Sequence, residues 1–299
     1  MKYMGWNRMN PVIMHINYCE CSYYHLAMSI DEVCRKAKEW GFDGIEFRGA
    51  LPKGFTGSMD AYLKEIRDAK ARYGLTDILY GYGVSGISSD DAATRTKAID
   101  DAIAFFHKAK EQTGTTICNV FADDIVNPQG GGNFNFSGSH YATEDQWKYT
   151  AEGFHAIGEA CEKMGMKLAF ETHMNYIHDV PKAVRKLLDM IDSPAVGANM
   201  DYGNTVYFLN VPTPEETIAL YGDKLFHMHL KNSIGMAGSR YPTALSEGEI
   251  NHRPYLKALA ASGYQGPIGI EAPRGGDREW FVRQDIAYLK TVAAEVGLK

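Results

Sequence analysis

Four apolar segments of the chain lead into side chains that can hold a proton or a metal ion. KLAFETH (167–173) carries Glu171 and His173, VGANMDYGN (196–204) carries Asp201, LFHMHLKN (225–232) carries His227 and His229, and PIGIEAPR (267–274) carries Glu271. If each segment is a strand, alternation puts Glu171 and His173 on one side of it, and likewise His227 and His229, with His229 nearer the end. Singly, each has a plain explanation: a strand-end carboxylate commonly caps the next helix, and a strand histidine is commonly a hydrogen-bonded core residue. Together they ask for another. Glu, Asp, His and Glu on four successive strand ends would crowd three carboxylates, which repel unless a cation neutralises them. A divalent metal is the economical answer. Hard oxygens with one imidazole suit Mn²⁺ first, with Mg²⁺, Co²⁺ or Zn²⁺ also compatible. Position alone selects His229 as the ligand and leaves His227 as a supporting or core residue, with substrate contact kept as a candidate role.

The elements that would position these groups recur along the chain. Short apolar, β-branched or aromatic runs occur at 11–19, 43–48, 76–81, 115–121, 167–172, 195–201, 224–230 and 266–271, each followed by a stretch with helical apolar spacing. In 144–164, for example, Thr143 and Gln146 can form a capping box, Trp147, Ala151, Phe154 and Cys161 share a face, and Gly165 is a stop. Eight βα units imply parallel strands covered by helices, so the expected fold is α/β, a (β/α)8 TIM barrel forming one domain over 1–299. A doubly wound sheet is the second choice. In a barrel, reactive groups belong at the C-terminal ends of the strands.

Composition removes several classes. At 45% apolar and 23% charged residues the chain has material for a large core and is not mainly disordered. With 37 acidic against 31 basic residues and no basic run, it repels polyanions, so nucleic acid is not an expected partner. No apolar stretch reaches membrane-helix length and the opening lacks a signal-peptide core, which leads to a cytoplasmic expectation. Cys19, Cys21, Cys34, Cys118 and Cys161 are odd in number and contain no C-x-x-C pair, which fits free thiols.

GFDGIEF (41–47), AFETH (169–173), VGANMDYGN (196–204), HMHLKN (227–232) and GEINHRPYLKALAASGYQGPIGIE (248–271) resemble the xylose isomerase-like TIM barrels, specifically the sugar phosphate isomerase/epimerase group with its ketose 3-epimerases and inosose dehydratases. The resemblance covers essentially the whole chain. It implies a divalent metal on Glu171, Asp201, His229 and Glu271. It also implies an isomerase or epimerase of a keto-sugar or sugar derivative, in which the metal stabilises an enediolate and Glu171 and Glu271 move protons on opposite faces of the substrate. His173 would then bind a substrate hydroxyl or act as a base for elimination. A Glu-x-His pair also occurs in metal-dependent lyases that cleave 3-oxo-glycosides, including C-glycoside deglycosidases, so a lyase or dehydratase acting on a 3-oxo-glycoside or keto-cyclitol is the main alternative.

Departures from the family count against free-ketohexose epimerisation. Asn204, kept as a candidate substrate contact, stands where ketose epimerases usually have a histidine that helps hold the substrate, and Arg240, eleven residues after His229, is the nearest candidate for their strand-seven arginine. The family's H-L-K-D appears as HLKN, keeping Lys231 as a substrate contact and putting Asn232 in place of the acid. His15 in strand one, and Glu46 and Arg48 at the end of strand two, are further candidates for the pocket lining, though a strand-end salt bridge also explains Glu46 and Arg48. The long connection 122–142, with His140 in it, has the length of a lid or binding element.

Three remoter readings remain. GYGVSG (81–86) with Asp100 and Asp101 fits a dinucleotide fingerprint, but two βα units precede it. An endonuclease IV-type nuclease would need more metal ligands where Asn204, Lys231 and Asn232 stand. A non-catalytic sugar-binding barrel would keep the same ligands. The expected partner is a small carbohydrate, with a homo-oligomer or a small accessory subunit left open.

Overall fold

Seven strands follow the apolar runs: β1 (Ile16–Cys19), β2 (Gly44–Arg48), β3 (Asp77–Gly83), β4 (Ile117–Phe121), β5 (Lys167–Glu171), β6 (Val196–Asp201) and β7 (Leu225–Leu230). The antiparallel pair β8 (Asn232–Met236) and β9 (Ser239–Thr243) comes next, then β10 (Ile268–Ile270). In the computed structural model, which describes residues 15–19, 28–237 and 239–298, β1 to β7 and β10 close a parallel barrel in which β10 bridges β7 and β1. Helices α1 (Ile30–Glu39), α2 (Met59–Tyr73), α3 (Ala92–Thr113), α4 (Glu144–Lys163), α5 (Pro181–Ile191), α6 (Pro214–Tyr221), α7 (His252–Ala261) and α8 (Arg278–Val296) alternate with the barrel strands. The chain is a (β/α)8 barrel.

One unit shows how sequence sets the direction of the site residues. Both halves of the Thr143/Gln146 capping box form at the start of α4, and Gly165 takes the left-handed φ of 63° that releases the chain toward β5. From α4, Phe154 packs against Phe170 of β5 with ring centroids 4.5 Å apart. Phe170 therefore faces the helix layer, and alternation turns its neighbour Glu171 into the barrel.

The barrel interior is polar, whereas branched apolar residues dominate most barrels of this type. Buried Asn17, Glu46, Asn119, Asn199 and His227 stand on β1, β2, β4, β6 and β7. The apolar core lies instead between strands and helices, where Phe42, Ile45, Tyr62, Phe106 and Phe154 are fully or almost fully buried.

Several boundaries differ from the sequence expectation. The run 11–19 gives a described strand only at Ile16–Cys19, and 11–14 lies outside the described residues. β3 runs on to Gly83, so two glycines of the GYGVSG segment are strand residues; α3 starts only at Ala92, capped by Asp91. The β8–β9 hairpin, inserted between β7 and α7, was not anticipated. Asn232 anchors it by donating to Leu245 O (3.2 Å) and Ile250 O (2.8 Å). Cys19, Cys34, Cys118 and Cys161 are buried free thiols, and Cys21 lies outside the described residues. Among the described residues no helix is long and apolar enough to cross a membrane.

His252, the first residue of α7, is 1% exposed and donates from Nδ1 to Leu245 O at 3.0 Å. Burial pushes its imidazole down to about 4, against an ordinary 6.5. The unfolded chain then binds the extra proton, so this contribution to stability is complete above pH 6.5 and is lost as the pH falls toward 4. Buried Asp179 and Asp285, raised to about 6 by burial, act in the opposite sense, so the informative quantity is a difference between two proteins. His252→Gln is expected to lose less stability on acidification than the wild type, by up to about 1.4 kcal/mol per pH unit, in urea unfolding between pH 6.5 and 4. Parallel curves would contradict a neutral, buried His252.

Candidate active site

β5, β6, β7 and β10 are consecutive around the barrel wall, and the end of each delivers one of Glu171, Asp201, His229 and Glu271. Their donor atoms all lie within 4.8 Å of one another. His229 Nδ1 is 3.3 Å from Glu171 Oε2, 3.3 Å from Glu271 Oε2 and 3.8 Å from Asp201 Oδ2. A register shift between Ala198 and Asn199 brings Asp201 level with His229, the kind of local re-aiming that bulges provide. On the other side, the His229 ring lies against Gly269, where a Cβ would stand 2.9 Å from its Cδ2. Only glycine leaves the ring its place.

Lys231 and Asn204, expected to contact substrate, are instead bound to this group. Lys231 Nζ lies 2.8 Å from Asp201 Oδ2 and 2.7 Å from Glu271 Oε2, and Gly203 makes room for its aliphatic stem. Asn204 donates to Glu171 Oε1 (3.1 Å) and Thr172 O (3.0 Å), while its Oδ1 accepts from Lys231 Nζ (3.2 Å). Lys231 thus bridges two of the carboxylates, and Asn204 links Lys231 to the third.

Below the cluster, bonds cross the barrel interior. β2 and β7 are separated on the wall by β1 and β10, yet Glu46 Oε2 lies 2.8 Å from both His227 Nε2 and His229 Nε2. Glu46 Oε1 accepts from Asn119 (3.1 Å), which also donates to Glu171 Oε2 (2.6 Å) and accepts from Asn199 (3.1 Å). Glu46 lines the cavity above the cluster, as its strand position suggested, with both oxygens hydrogen-bonded, whereas His227 does not line it and is fully buried with Nδ1 on Pro267 O at 3.2 Å. Glu46 is paired with histidines, not with Arg48 as the strand-end alternative would have it. Asn119 and Asn199 were missed, although two asparagines inside apolar strands, at inward-facing parity, were a readable signal. His178 was missed too. It donates from Nδ1 to Glu171 O (2.6 Å) and accepts at Nε2 from Ala122 N (3.1 Å), joining the ends of β4 and β5. Burial keeps it neutral, with its pKa down at about 4.

A cavity of about 600 Å³ opens above the cluster, with Arg48, Phe121, Asp124, His173 and Tyr176 on its walls. His173 donates from Nδ1 to Met174 O (3.0 Å), with Phe121 and Tyr176 against its ring. The 122–142 connection is tied down over one side: Ile125 N donates to Asn175 O (2.6 Å), Ser139 N to Asp179 (3.1 Å), and Asn135 to Tyr207 O (3.1 Å). His140 is exposed on it. Asp123 accepts from Gly86 N (2.6 Å), Ser88 N (2.8 Å) and Ser88 Oγ (2.7 Å). The chain's own carboxylate thus occupies the amide cradle that a dinucleotide pyrophosphate would need after GYGVSG.

His15 belongs elsewhere. It precedes β1, so it stands at the opposite end of the barrel, 2.8 Å from Asp77 on the wall of a separate cavity of about 840 Å³. That cavity contains none of the four clustered residues. Arg240, on β9, pairs with Glu249 (2.6 Å) and donates to Val206 O (3.2 Å).

The electrostatics fit a cation. Three carboxylates face one ammonium and the His229 ring, whose own charge Glu46 balances, which leaves an excess of negative charge in a largely buried setting. Burial pushes Asp201 up to about 7 in spite of Lys231. Burial and Glu271 push Glu171 up as well, but His229 and Lys231 outweigh them and hold it below the usual range. Glu271 is held well below it, since Lys231 and His229 exceed the burial cost. Burial disfavours the His229 imidazolium, yet the carboxylates of Glu46 and Glu171 hold its pKa well above the ordinary value. Among the described residues, buried His229 Nδ1 has no hydrogen-bond partner. A buried nitrogen that faces three carboxylate oxygens at 3.3, 3.3 and 3.8 Å has the donor set and the closeness that a shared cation needs. Three oxygens and one nitrogen can hold a divalent cation, whose binding would release the His229 proton. A second group, Cys19 with Glu46 and His229, is less suited: burial raises the Cys19 thiol to about 12, and Glu46 is already hydrogen-bonded.

Known proteins agree with this architecture. An inosose dehydratase of Clostridium perfringens is 27% identical over 153 residues, 46% of this chain and 50% of that protein. The chain spans about half the length of the curated relatives it matches. The crystal structure of 3-keto-D-glucoside 4-epimerase from E. coli superposes with a TM-score of 0.71 at 19% identity, covering 93% of this chain and 99% of that one. A xylose isomerase-like TIM barrel protein of Mycobacterium smegmatis, solved in complex with magnesium, gives 0.69 at 22% identity, covering 96% and 97%. The family model described as xylose isomerase-like TIM barrel matches residues 34–292. With that match running from α1 into α8 across a closed eight-stranded barrel, the chain belongs to the xylose isomerase-like TIM barrel family.

Proposed function

We propose that this barrel is a divalent-metal-dependent enzyme that moves a proton on the carbon beside a carbonyl of an uncharged keto-sugar or keto-cyclitol, with epimerisation or isomerisation as the outcome. The observation that carries the reading is the position of Glu171 and Glu271. Both reach the floor of one cavity, and each lies 3.3 Å from the unpartnered nitrogen of His229. A metal held by Glu171, Asp201, His229 and Glu271 would supply Lewis acidity to a carbonyl and its neighbouring hydroxyl, making the proton on carbon removable. Mn²⁺ fits the donor set first, and the magnesium in the Mycobacterium smegmatis relative supports the same hard-cation chemistry. Glu171 would take the proton from one face of the substrate and Glu271 would return one to the other. Lys231 and Asn204 keep the carboxylates oriented for this. Phe121 and Tyr176 offer a sugar ring apolar faces, while Glu171, Glu271 and Asp124 against Arg48 make the cavity a poor host for a phosphate.

Elimination is the second reading, favoured by two observations. His173 stands on the cavity wall two residues from Glu171, placed to take a proton as water or a glycosidic group leaves. Curated relatives from Clostridium perfringens and Lacticaseibacillus casei are inosose dehydratases. Dinucleotide chemistry loses its support with Asp123 in the amide cradle, and nuclease chemistry with Asn204 and Lys231 standing beside the ligands.

Chelated protein is expected to melt at a higher temperature when Mn²⁺, Co²⁺ or Mg²⁺ is added, by about 2.7 kcal/mol of linkage at a hundredfold excess over Kd. Asp201→Asn is expected to lose that response while staying folded, and an unresponsive wild type would remove the metal from the reading. Glu171→Gln and Glu271→Gln are each expected to slow turnover about 10²–10⁴-fold. The assay is solvent deuterium entry into a panel of keto-sugars and keto-cyclitols, and full activity in either variant would overturn the proton-transfer roles. For His173→Ala, proton transfer between the two glutamates predicts a raised KM with kcat largely kept. A comparable loss of kcat with no deuterium in recovered substrate would instead install elimination.

A further inference from the structure

Glu46 lines the cavity, yet both of its oxygens are already hydrogen-bonded to side chains inside the barrel. Its Oε2 lies 2.8 Å from Nε2 of His229, whereas the clustered carboxylates lie at Nδ1. An imidazole that binds a metal through one nitrogen must carry its proton on the other, and whichever nitrogen is hydrogen-bonded to an acceptor keeps the proton. Glu46 is such an acceptor, and its placement is over-determined. Asn119 donates to Oε1 (3.1 Å), and His227 approaches Oε2 (2.8 Å) from a ring itself fixed on Pro267 O. Asn119 also donates to Glu171 Oε2 (2.6 Å), so one amide couples the acceptor to a proposed metal ligand.

We propose that Glu46 is the positioning residue of the metal site: it holds the Nε2 proton of His229, so that only Nδ1 is presented to the cation. This rests on the metal reading above, and it adds a requirement on β2, a strand that supplies no ligand. Glu46→Gln is the discriminating change, because it preserves size. An amide turned with its oxygen toward Asn119 points its NH₂ at Nε2 of both histidines. Every hydrogen bond beneath the cluster is then satisfied while His229 is biased to carry its proton on Nδ1, facing the carboxylates. The variant is therefore expected to fold and to bind Mn²⁺ about 10–100-fold more weakly than the wild type, by electron paramagnetic resonance titration of the free ion. Nitrogen-15 NMR of the Zn²⁺-loaded wild-type protein, with His229 assigned by its loss in His229→Asn, is expected to show a slowly exchanging proton on Nε2. In a His229→Asn background, Glu46→Gln is expected to have no further effect on Mn²⁺ affinity.

Wild-type Mn²⁺ affinity in folded Glu46→Gln, or zinc on Nε2 with the proton on Nδ1 in the wild type, would overturn the assignment. The NMR result decides even if the variant does not fold. A wild type that binds neither Mn²⁺ nor Zn²⁺ would sink the metal reading itself, an outcome separate from both.

Discussion

Like charges taken out of water set the terms for everything at the mouth of this barrel. Glu171, Asp201 and Glu271 meet at His229, with Asp201 fully buried and Glu171 nearly so. The cost of such a group is offset only by opposite charge and by hydrogen bonds on the remaining lone pairs. Lys231 supplies one positive charge, Asn119 and Asn204 supply donors, and Glu46 balances the His229 ring from beneath. The charge still outstanding defines what the site can take up.

The barrel meets this demand because its strands are parallel and its interior is shared. Consecutive strands β5, β6, β7 and β10 bring their ends together on one arc, while Glu46 and Asn119 reach in from β2 and β4 to support them. A polar layer across the middle gives up apolar packing there, and the large buried side chains between strands and helices carry the core instead. The bulge at Ala198/Asn199 and the missing side chain at Gly269 are small local adjustments of the same frame.

Much of this was legible in the amino acids. Alternation of short apolar runs with capped helices sufficed for the barrel, and polar residues ending apolar strands sufficed to single out the clustered side chains. Direction and depth were harder to read. His15 looked like a pocket residue because a strand read without its neighbours has no top or bottom; it sits at the entry end. Glu46, His227, Asn204 and Lys231 have the residue types of substrate contacts, but whether a polar atom is open or already bonded depends on partners up to 183 positions away. His178 lies past a strand end in a loop, and its role depends on the backbone of Ala122 across the neighbouring strand. The β8–β9 hairpin carries Gly, Pro and Arg, a composition that reads as loop, and it pairs only with itself.

Lys231 has a consequence for how the protein comes to maturity. Small zinc domains stay unfolded until metal arrives, because nothing else organises their ligands. Here an internal counter-ion already bridges Asp201 and Glu271, so on the metal reading proposed above a newly made chain would not need the ion to close its barrel and could take it up afterwards. On that same reading, scarcity of the ion would idle the protein rather than unfold it.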